Sequence, residues 1–211
     1  MTGFTEAEIQ ELAATVHKRV NVGCGRYAMG YWTNLDSDPD VNAAVHAEVP
    51  PMPFDDGTLD HIWACHFLEH LDYDTGQEFL TECYRCLEPG GRLGIVVPDT
   101  REVMRRWYNQ TGDAVQYPEY VWWNTNDLDN ICHMFLYSTV QDSPHRWSYD
   151  QDTLARAMAK AGFVEFRLID KYRDQRLACG AWYQVGLDGW KEYRPEGTKE
   201  DGSSKVKADC Q

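Results

Sequence analysis

The chain has 211 residues, a net charge of −14 and an ordinary globular composition, with 43% hydrophobic and 26% charged residues. That length is enough for one large domain with a well-buried core. The negative charge argues against a nucleic-acid polymer as the main partner, because affinity for a phosphate backbone depends on Lys and Arg. No apolar run approaches the length of a membrane span, and the N-terminus shows no signal-peptide pattern.

The cysteine content points to a reducing compartment. The seven cysteines are odd in number and scattered, which does not suit a disulfide framework, so we expect a cytoplasmic protein. Cys83 and Cys86 form a C-x-x-C pair. However, Cys83 falls on the buried face of a predicted helix, and no second cysteine pair has the spacing of a zinc site. We therefore expect no metal site.

The first predicted element is a helix that begins at Thr5. Thr5 and Glu8 form a capping box, and apolar residues follow with helical spacing to Val16. Residues 18–36 come next. They predict a short apolar strand at 19–22, a glycine turn at 23–25, and a second strand at 31–35 that ends in Asp36.

The glycine turn is the first candidate for a ligand site. In an open α/β sheet, ligands bind outside the carboxyl ends of the strands, and glycine lets backbone N–H groups approach a ligand closely. An acidic residue at the end of the next strand, here Asp36, can accept both hydroxyls of a ribose. Residues 26–30 are too few for a helix, so no helix N-terminus is available for a pyrophosphate. The pattern favours a nucleoside without phosphates, such as S-adenosylmethionine, with an ordinary strand-to-strand turn as the alternative.

The middle of the chain predicts alternating strands and helices. Residues 45–49 predict a short third strand and residues 59–65 a fourth. A second capping box, at 75–78, predicts a helix whose apolar face runs to Leu87 and which ends at the Pro-Gly-Gly of residues 89–91. Residues 92–97 predict a fifth strand. This alternation implies a parallel sheet with right-handed crossovers.

The last third of the chain contains a long aromatic stretch. Residues 101–109 predict a helix, but residues 112–143 show no clear period and are rich in Tyr, Trp and Phe. We interpret residues 107–145 as an acceptor wall and lid, with a subunit contact as the alternative. Asp150 then predicts the start of a helix to residue 161, and two strands follow at 164–169 and 181–187. Residues 1–194 are expected to form one domain, and residues 195–211 a polar, disordered tail.

Taken together, these motifs resemble the class I S-adenosylmethionine-dependent methyltransferases, in particular the small bacterial type with a shortened connection after the glycine turn. The matching stretches are VNVGCG at 20–25, GYWTNLD at 30–36, PMPFDDGTLDHIWACHFLEHL at 51–71, EPGGRLGIVVPD at 88–99 and HRWSYDQDTLARAMAKAGF at 145–163. The resemblance implies a Rossmann-like, open, mostly parallel seven-stranded sheet. Helices would cover both faces, and the aromatic insertion would follow the fifth strand.

The resemblance also implies a set of residues that bind the cofactor S-adenosylmethionine. Backbone groups of the glycine turn would line its methionine end, and Asp36 would accept the ribose hydroxyls. The family often has an aspartate near the adenine where this chain has Ala47, so Glu48 or backbone groups would serve there. The full predicted set is Asn21, Gly23, Cys24, Gly25, Asp36, Ala47, Glu48, Cys65 and His66.

Three histidines are candidates for catalysis: His66, His133 and His145. His66 follows the fourth strand, and the other two flank or lie in the aromatic stretch. An unperturbed imidazole titrates near pH ~6.5 and suits a general base, which is needed only if the acceptor loses a proton. The alternative for the His66 region is that Glu69 and His70 cap and orient the following segment.

The sequence thus predicts S-adenosylmethionine-dependent methyl transfer to a small-molecule acceptor. One alternative is another enzyme that uses the same cofactor, such as a lyase or a transferase of a different group. A second is a catalytically inactive cofactor-binding partner protein. The pattern leaves open the acceptor, its reacting atom and the oligomeric state.

Overall fold

The computed structural model describes residues 18–109, 145–169 and 184–193, which build a seven-stranded sheet of order β3-β2-β1-β4-β5-β7-β6. The strands are β1 (Arg19–Val22), β2 (Thr33–Asp36), β3 (Val45–His46), β4 (Leu59–Cys65), β5 (Leu87–Pro98), β6 (Val164–Leu168) and β7 (Gln184–Trp190). Strands β1 to β5 pair in parallel, whereas β7 runs antiparallel to both of its neighbours, β5 and β6. The predicted Rossmann-like, mostly parallel seven-stranded sheet is therefore confirmed.

Three α-helices are described: α1 (Tyr73–Cys86), α2 (Thr100–Asn109) and α3 (Gln151–Lys160). Helices α1 and α3 contact each other and the sheet, and the main hydrophobic core lies between them and one sheet face. A smaller cluster, Trp63, Cys65 and Val96, occupies the other face. The helix predicted to begin at Thr5 lies outside the described residues, so its place on the sheet stays a prediction.

Strand β4 has the residue pattern of a strand buried on both faces. Ile62 and Ala64 belong to the main core, whereas Trp63 and Cys65 belong to the cluster on the other face. Such double burial is typical of parallel strands and needs a nearly continuous apolar run. The neighbouring strand accommodates the indole of Trp63 because a Cβ at Gly94 would lie 2.5 Å from its ring. Packing on both faces therefore fixes the carboxyl end of β4, where His66 follows.

The start of α1 corrects one prediction. Asp72, rather than Thr75, is the N-cap, because its side chain accepts a hydrogen bond from the backbone N–H of Thr75 at 3.0 Å. Aspartate is at least as good an N-cap as threonine, so the helix begins after Asp72, the first of the two possible caps in the chain. The end of α1 also differs: the helix ends at Cys86, and Leu87 is already the first residue of β5.

Several strand boundaries shift by a few residues. Strand β2 begins at Thr33 rather than at residue 31, since Tyr31 has a φ of 63° that is incompatible with a strand. Strand β3 is only two residues long, and β7 extends to Trp190, three residues beyond the predicted end. Helix α3 agrees with its prediction, with Asp150 as N-cap and Gly162 at a φ of 106° after its end. The aromatic stretch and the tail lie outside the described residues.

Asp150 joins helices α2 and α3. Its Oδ1 accepts the backbone N–H of Thr153 at 2.8 Å, and its Oδ2 accepts two N–H groups of Arg101, at 2.9 and 2.7 Å. Burial alone would raise the pKa of the Asp150 carboxyl, but the bonds from Thr153 and Arg101 outweigh it and lower that pKa to about 2. The ionised form therefore stabilises the fold.

We expect Asp150→Ala to lower the free energy of unfolding by about 1–2 kcal/mol at pH 7, because it removes the helix cap. Asp150→Asn keeps the cap and loses the ion pair with Arg101, which should cost less, about 1 kcal/mol or below. The pKa of Asp150 is lower in the folded than in the unfolded chain. Its extra stabilisation is therefore present above about pH 4 and disappears as the pH falls toward 2.

Urea unfolding of the wild type and both variants at pH 7 and pH 3 measures these differences. The difference in the free energy of unfolding between the wild type and Asp150→Asn should be smaller at pH 3 than at pH 7. Equal stability of all three proteins at pH 7 would contradict the role of Asp150.

Candidate functional site

In the glycine turn after β1, Gly23 packs against a side chain, whereas Gly25 borders open space. Gly23 has a φ of 61° and Gly25 a φ of 49°, values that L side chains rarely adopt. A Cβ at Gly23 would lie 2.5 Å from Cδ2 of Phe67, which follows β4, so the turn and the end of β4 meet closely. A Cβ at Gly25 would meet nothing within 4 Å. Space for a ligand therefore exists beside Gly25.

Asp36 holds the glycine turn from the carboxyl end of β2. The backbone N–H of Gly25 donates to Asp36 Oδ2 at 2.7 Å, and that of Asp38 donates to Asp36 Oδ1 at 3.1 Å. The side chain is only half-buried, and each carboxylate oxygen has two lone pairs. Asp36 therefore keeps acceptor capacity for the two hydroxyls of a ribose, and its donor set fits a nucleoside cofactor.

Two asparagines shape the short connection between β1 and β2. The Asn21 side chain donates to Tyr27 O at 3.1 Å and to Asn34 Oδ1 at 2.9 Å. The Asn34 side chain also binds the backbone of Met29 in both directions, at 2.8 and 3.1 Å. The connection contains no helix, as the sequence predicted. A pyrophosphate therefore finds no helix N-terminus here.

Three of the predicted cofactor residues are buried. Asn21 and Cys24 have no exposed surface, and Cys65 is 1% exposed. A ligand would therefore meet Cys24 and Cys65 through their backbone, and the Asn21 amide already holds the connection. Their roles in cofactor binding stay predictions.

The predicted adenine residues lie beside Asp36. The backbone N–H of Ala47 donates to Asp36 O at 3.1 Å, so Ala47 and the exposed Glu48 flank the carboxyl end of β2. This placement suits a ligand that extends from Asp36 toward β3. A direct contact with adenine stays a prediction for both residues.

His66 and Glu69 form a pair at the carboxyl end of β4. His66 has a φ of 55°, and its Nδ1 lies 3.0 Å from Glu69 Oε1. Glu69 lies in a short 3-10 helix, Leu68–His70, and is 1% exposed. An ionised carboxylate accepts the proton on Nδ1, which leaves Nε2 of the neutral imidazole as the basic nitrogen. The pair thus has the arrangement of a general base with an orienting carboxylate.

Further polar groups lie around Glu69. The rings of His70 and His145 meet edge to face at 4.8 Å. The backbone N–H groups of Arg146 and Trp147 donate to Glu69 O at 2.7 and 3.2 Å, which ties residues 145–147 to the 3-10 helix. The structure therefore brings two of the three predicted catalytic histidines, His66 and His145, to the same carboxylate. His133 lies outside the described residues.

The surroundings alter the acid–base properties of this group. Burial would raise the pKa of the Glu69 carboxyl, but the hydrogen bond from His66 and the nearby histidines outweigh it and lower the pKa. Burial lowers the pKa of His145, and burial together with the charge of Glu69 raises the pKa of Tyr149. Glu69 is thus a carboxylate at neutral pH. From the sequence alone, Glu69 is a candidate to cap or orient the next segment, and its position three residues after His66 is the signal for the contact.

Two other features lie away from this edge. Cys83 and Cys86 are buried, and burial raises the pKa of both thiols, that of Cys86 to about 11, so both stay protonated. A cavity of about 500 Å³ lies at the amino ends of the central strands, lined by Arg19, Met29, Trp32, Asp60, His61, Trp63, Arg92 and Trp190. Neither the glycine turn nor Asp36 lines this cavity.

Part of the chain is similar in sequence to known methyltransferases. Residues 8–95 match the family described as "Methyltransferase domain". Tocopherol O-methyltransferase from Arabidopsis thaliana is 32% identical over 89 residues, which are 42% of this chain and 22% of that protein. The chain therefore matches about a fifth of the length of this curated relative.

Solved structures show the same fold. A methyltransferase from Thermotoga maritima, described as a possible histamine N-methyltransferase, has a TM-score of 0.54 and 16% identity, with 87% of each chain covered. A methyltransferase from Methanosarcina mazei has a TM-score of 0.52 and 13% identity, with 92% of this chain and 100% of that chain covered. One from Archaeoglobus fulgidus has a TM-score of 0.51 and 15% identity, with 88% and 92% covered.

Within the described residues, no helix is long and apolar enough to cross a bilayer. The residues that match the methyltransferase family, 8–95, include the glycine turn, Asp36 and the His66–Glu69 pair. The chain thus has the fold of these solved methyltransferase structures.

Proposed function

We propose that the chain transfers a methyl group from S-adenosylmethionine to a small-molecule acceptor. The main support is the contact between Gly23 and Phe67, which brings the open glycine turn next to the His66–Glu69 pair. A nucleoside site and a candidate base thus share one edge of the sheet. The curated relative is named for methylation of tocopherol, a small molecule, which supports this class of acceptor.

The residues around Gly25 and Asp36 would hold the cofactor. Asp36 accepts the ribose hydroxyls with the lone pairs that Gly25 and Asp38 leave unused. The backbone near Gly25 lines the methionine end, since no side chain blocks the space there. When bound, S-adenosylmethionine supplies an electrophilic methyl group. The main task of the protein is then to position the acceptor. Such positioning can lower the activation barrier by ~7–11 kcal/mol.

His66 is the proposed general base. Glu69 holds the imidazole through Nδ1, so Nε2 is the nitrogen that takes a proton from an acceptor hydroxyl or amine. The positive charge that His66 then gains is stabilised by the carboxylate at 3.0 Å. Because Glu69 is buried and packed against residues 145–147, the imidazole is held in one orientation.

Product analysis tests the proposal directly. The protein is incubated with methyl-labelled S-adenosylmethionine and fractions of a small-molecule extract. S-adenosylhomocysteine and a labelled acceptor are expected in equal amounts. Methylthioadenosine would indicate a different transfer from the same cofactor, and no turnover with any fraction would indicate a cofactor-binding protein without activity. Either result would overturn the proposed function.

We expect Asp36→Ala to weaken S-adenosylhomocysteine binding by about 1.5–3 kcal/mol, roughly 10- to 150-fold, because hydrogen bonds to a charged acceptor are lost. Isothermal titration calorimetry measures this change. Asp38→Ala is the matched control, since Asp38 is an exposed acidic neighbour whose side chain does not bond to the turn. Similar affinities for Asp36→Ala and the wild type, with the fold intact, would show that the ribose assignment is wrong.

We expect His66→Gln to reduce the rate of methyl transfer by about 100-fold or more, the usual contribution of a general base. Its affinity for S-adenosylhomocysteine should change by less than about threefold, roughly 0.7 kcal/mol. His61→Gln, at the amino end of the same strand, is the control and should keep its rate. Loss of affinity in step with rate would mean that His66 binds the cofactor rather than acting as a base.

A further inference from the structure

The buried carboxylate of Glu69 has one oxygen that the pair with His66 does not use. Oε1 takes the hydrogen bond from His66 at 3.0 Å, while Oε2 has no hydrogen-bond partner among the described residues although the side chain is only 2% exposed. Leaving a buried charged oxygen unpaired costs free energy. This oxygen is therefore placed to bind a cation or a donor.

Two histidine rings lie close to the Glu69 carboxylate. One ligand atom each from Glu69, His70 and His145 lies within 4.8 Å of the other two. Glu69 is buried, and both histidines are half-buried. The backbone bonds from Arg146 and Trp147 to Glu69 O keep the segment of His145 next to the 3-10 helix that carries the other two residues. The cluster is thus held together by the backbone of two separate segments.

The donor set identifies the class of ion. Around an ion with bonds of about 2.0–2.2 Å, ligand atoms lie roughly 3–4 Å apart, so small side-chain rotations within the 4.8 Å cluster are enough to reach that spacing. Two imidazole nitrogens and one carboxylate oxygen suit Zn²⁺, Fe²⁺ and related ions, whereas Ca²⁺ and Mg²⁺ prefer oxygen ligands alone.

We propose that Glu69, His70 and His145 bind a divalent first-row transition-metal ion. His66 orients Glu69 from outside the ligand set, as the partners of metal-binding groups commonly do. With three protein ligands, the ion keeps at least one open position for water or another oxygen ligand. The site lies beyond the carboxyl end of β4 and needs neither cofactor nor acceptor, so it stands independently of the proposed methyl transfer.

The competing interpretation is a self-contained network in which the three histidines alone neutralise Glu69. Both interpretations predict that substitution of Glu69 disturbs the cluster. They differ in one measurable property, because the network binds no metal ion. The test therefore measures metal binding rather than activity.

The experiment is a titration of chelator-treated full-length protein with Co²⁺, followed by visible absorption. The wild type is expected to show d–d bands that saturate at one ion per chain, without the thiolate charge-transfer band that cysteine ligands would produce. Added Zn²⁺ should abolish the bands by competition and raise the thermal midpoint of the wild type.

Glu69→Gln and His145→Ala should each weaken Co²⁺ binding at least tenfold, whereas His46→Ala, an exposed histidine on β3, should bind like the wild type. His145→Ala provides the test if Glu69→Gln fails to fold, since His145 is only half-buried. The proposal is overturned if the wild type shows no bands, if a thiolate band appears, or if the variants keep full affinity. An equal loss of Co²⁺ affinity in His46→Ala would also overturn the proposal, because the ions would then bind at scattered surface histidines.

Discussion

The hydrogen bond from Gly25 N–H to Asp36 Oδ2, at 2.7 Å, joins the two parts of the candidate cofactor site. It draws the glycine turn against the carboxyl end of β2, and Asn21 and Asn34 hold the short connection between them. With so few residues in that connection, no helix forms there. The site therefore offers a carboxylate and open backbone, and these suit a ribose and an amino acid rather than a pyrophosphate.

Glu69 holds together the residues beyond the carboxyl end of the neighbouring strand β4. Its side chain orients His66, and its backbone oxygen accepts hydrogen bonds from the N–H groups of Arg146 and Trp147. The buried charge is tolerated because histidines surround it. Since Phe67 packs on Gly23, the glycine turn and the segment that carries Glu69 lie next to each other. This packing places the candidate nucleoside site beside the candidate base.

The sequence predicts the elements whose signals are local. Strand β4 contains the apolar run of residues 62–65, and α3 is bounded by the Asp150 cap and Gly162, so their predictions agree with the structure. The start of α1 lies three residues before its predicted position, because Asp72 precedes Thr75 in the chain and is at least as good an N-cap. The Glu69–His145 cluster could not be predicted as a unit, since it joins segments far apart in the chain. Likewise, the contact of Phe67 with Gly23 depends on the sheet order, which no local pattern contains.

The central claim is that this edge of the sheet binds a sulfur-containing nucleoside and not a dinucleotide. Calorimetric titration of the full-length protein with S-adenosylhomocysteine and, separately, with NAD tests it most directly. The account predicts one saturable site for S-adenosylhomocysteine with micromolar affinity, about −8 kcal/mol, and no comparable heat with NAD. Tight binding of NAD without any response to S-adenosylhomocysteine would contradict it.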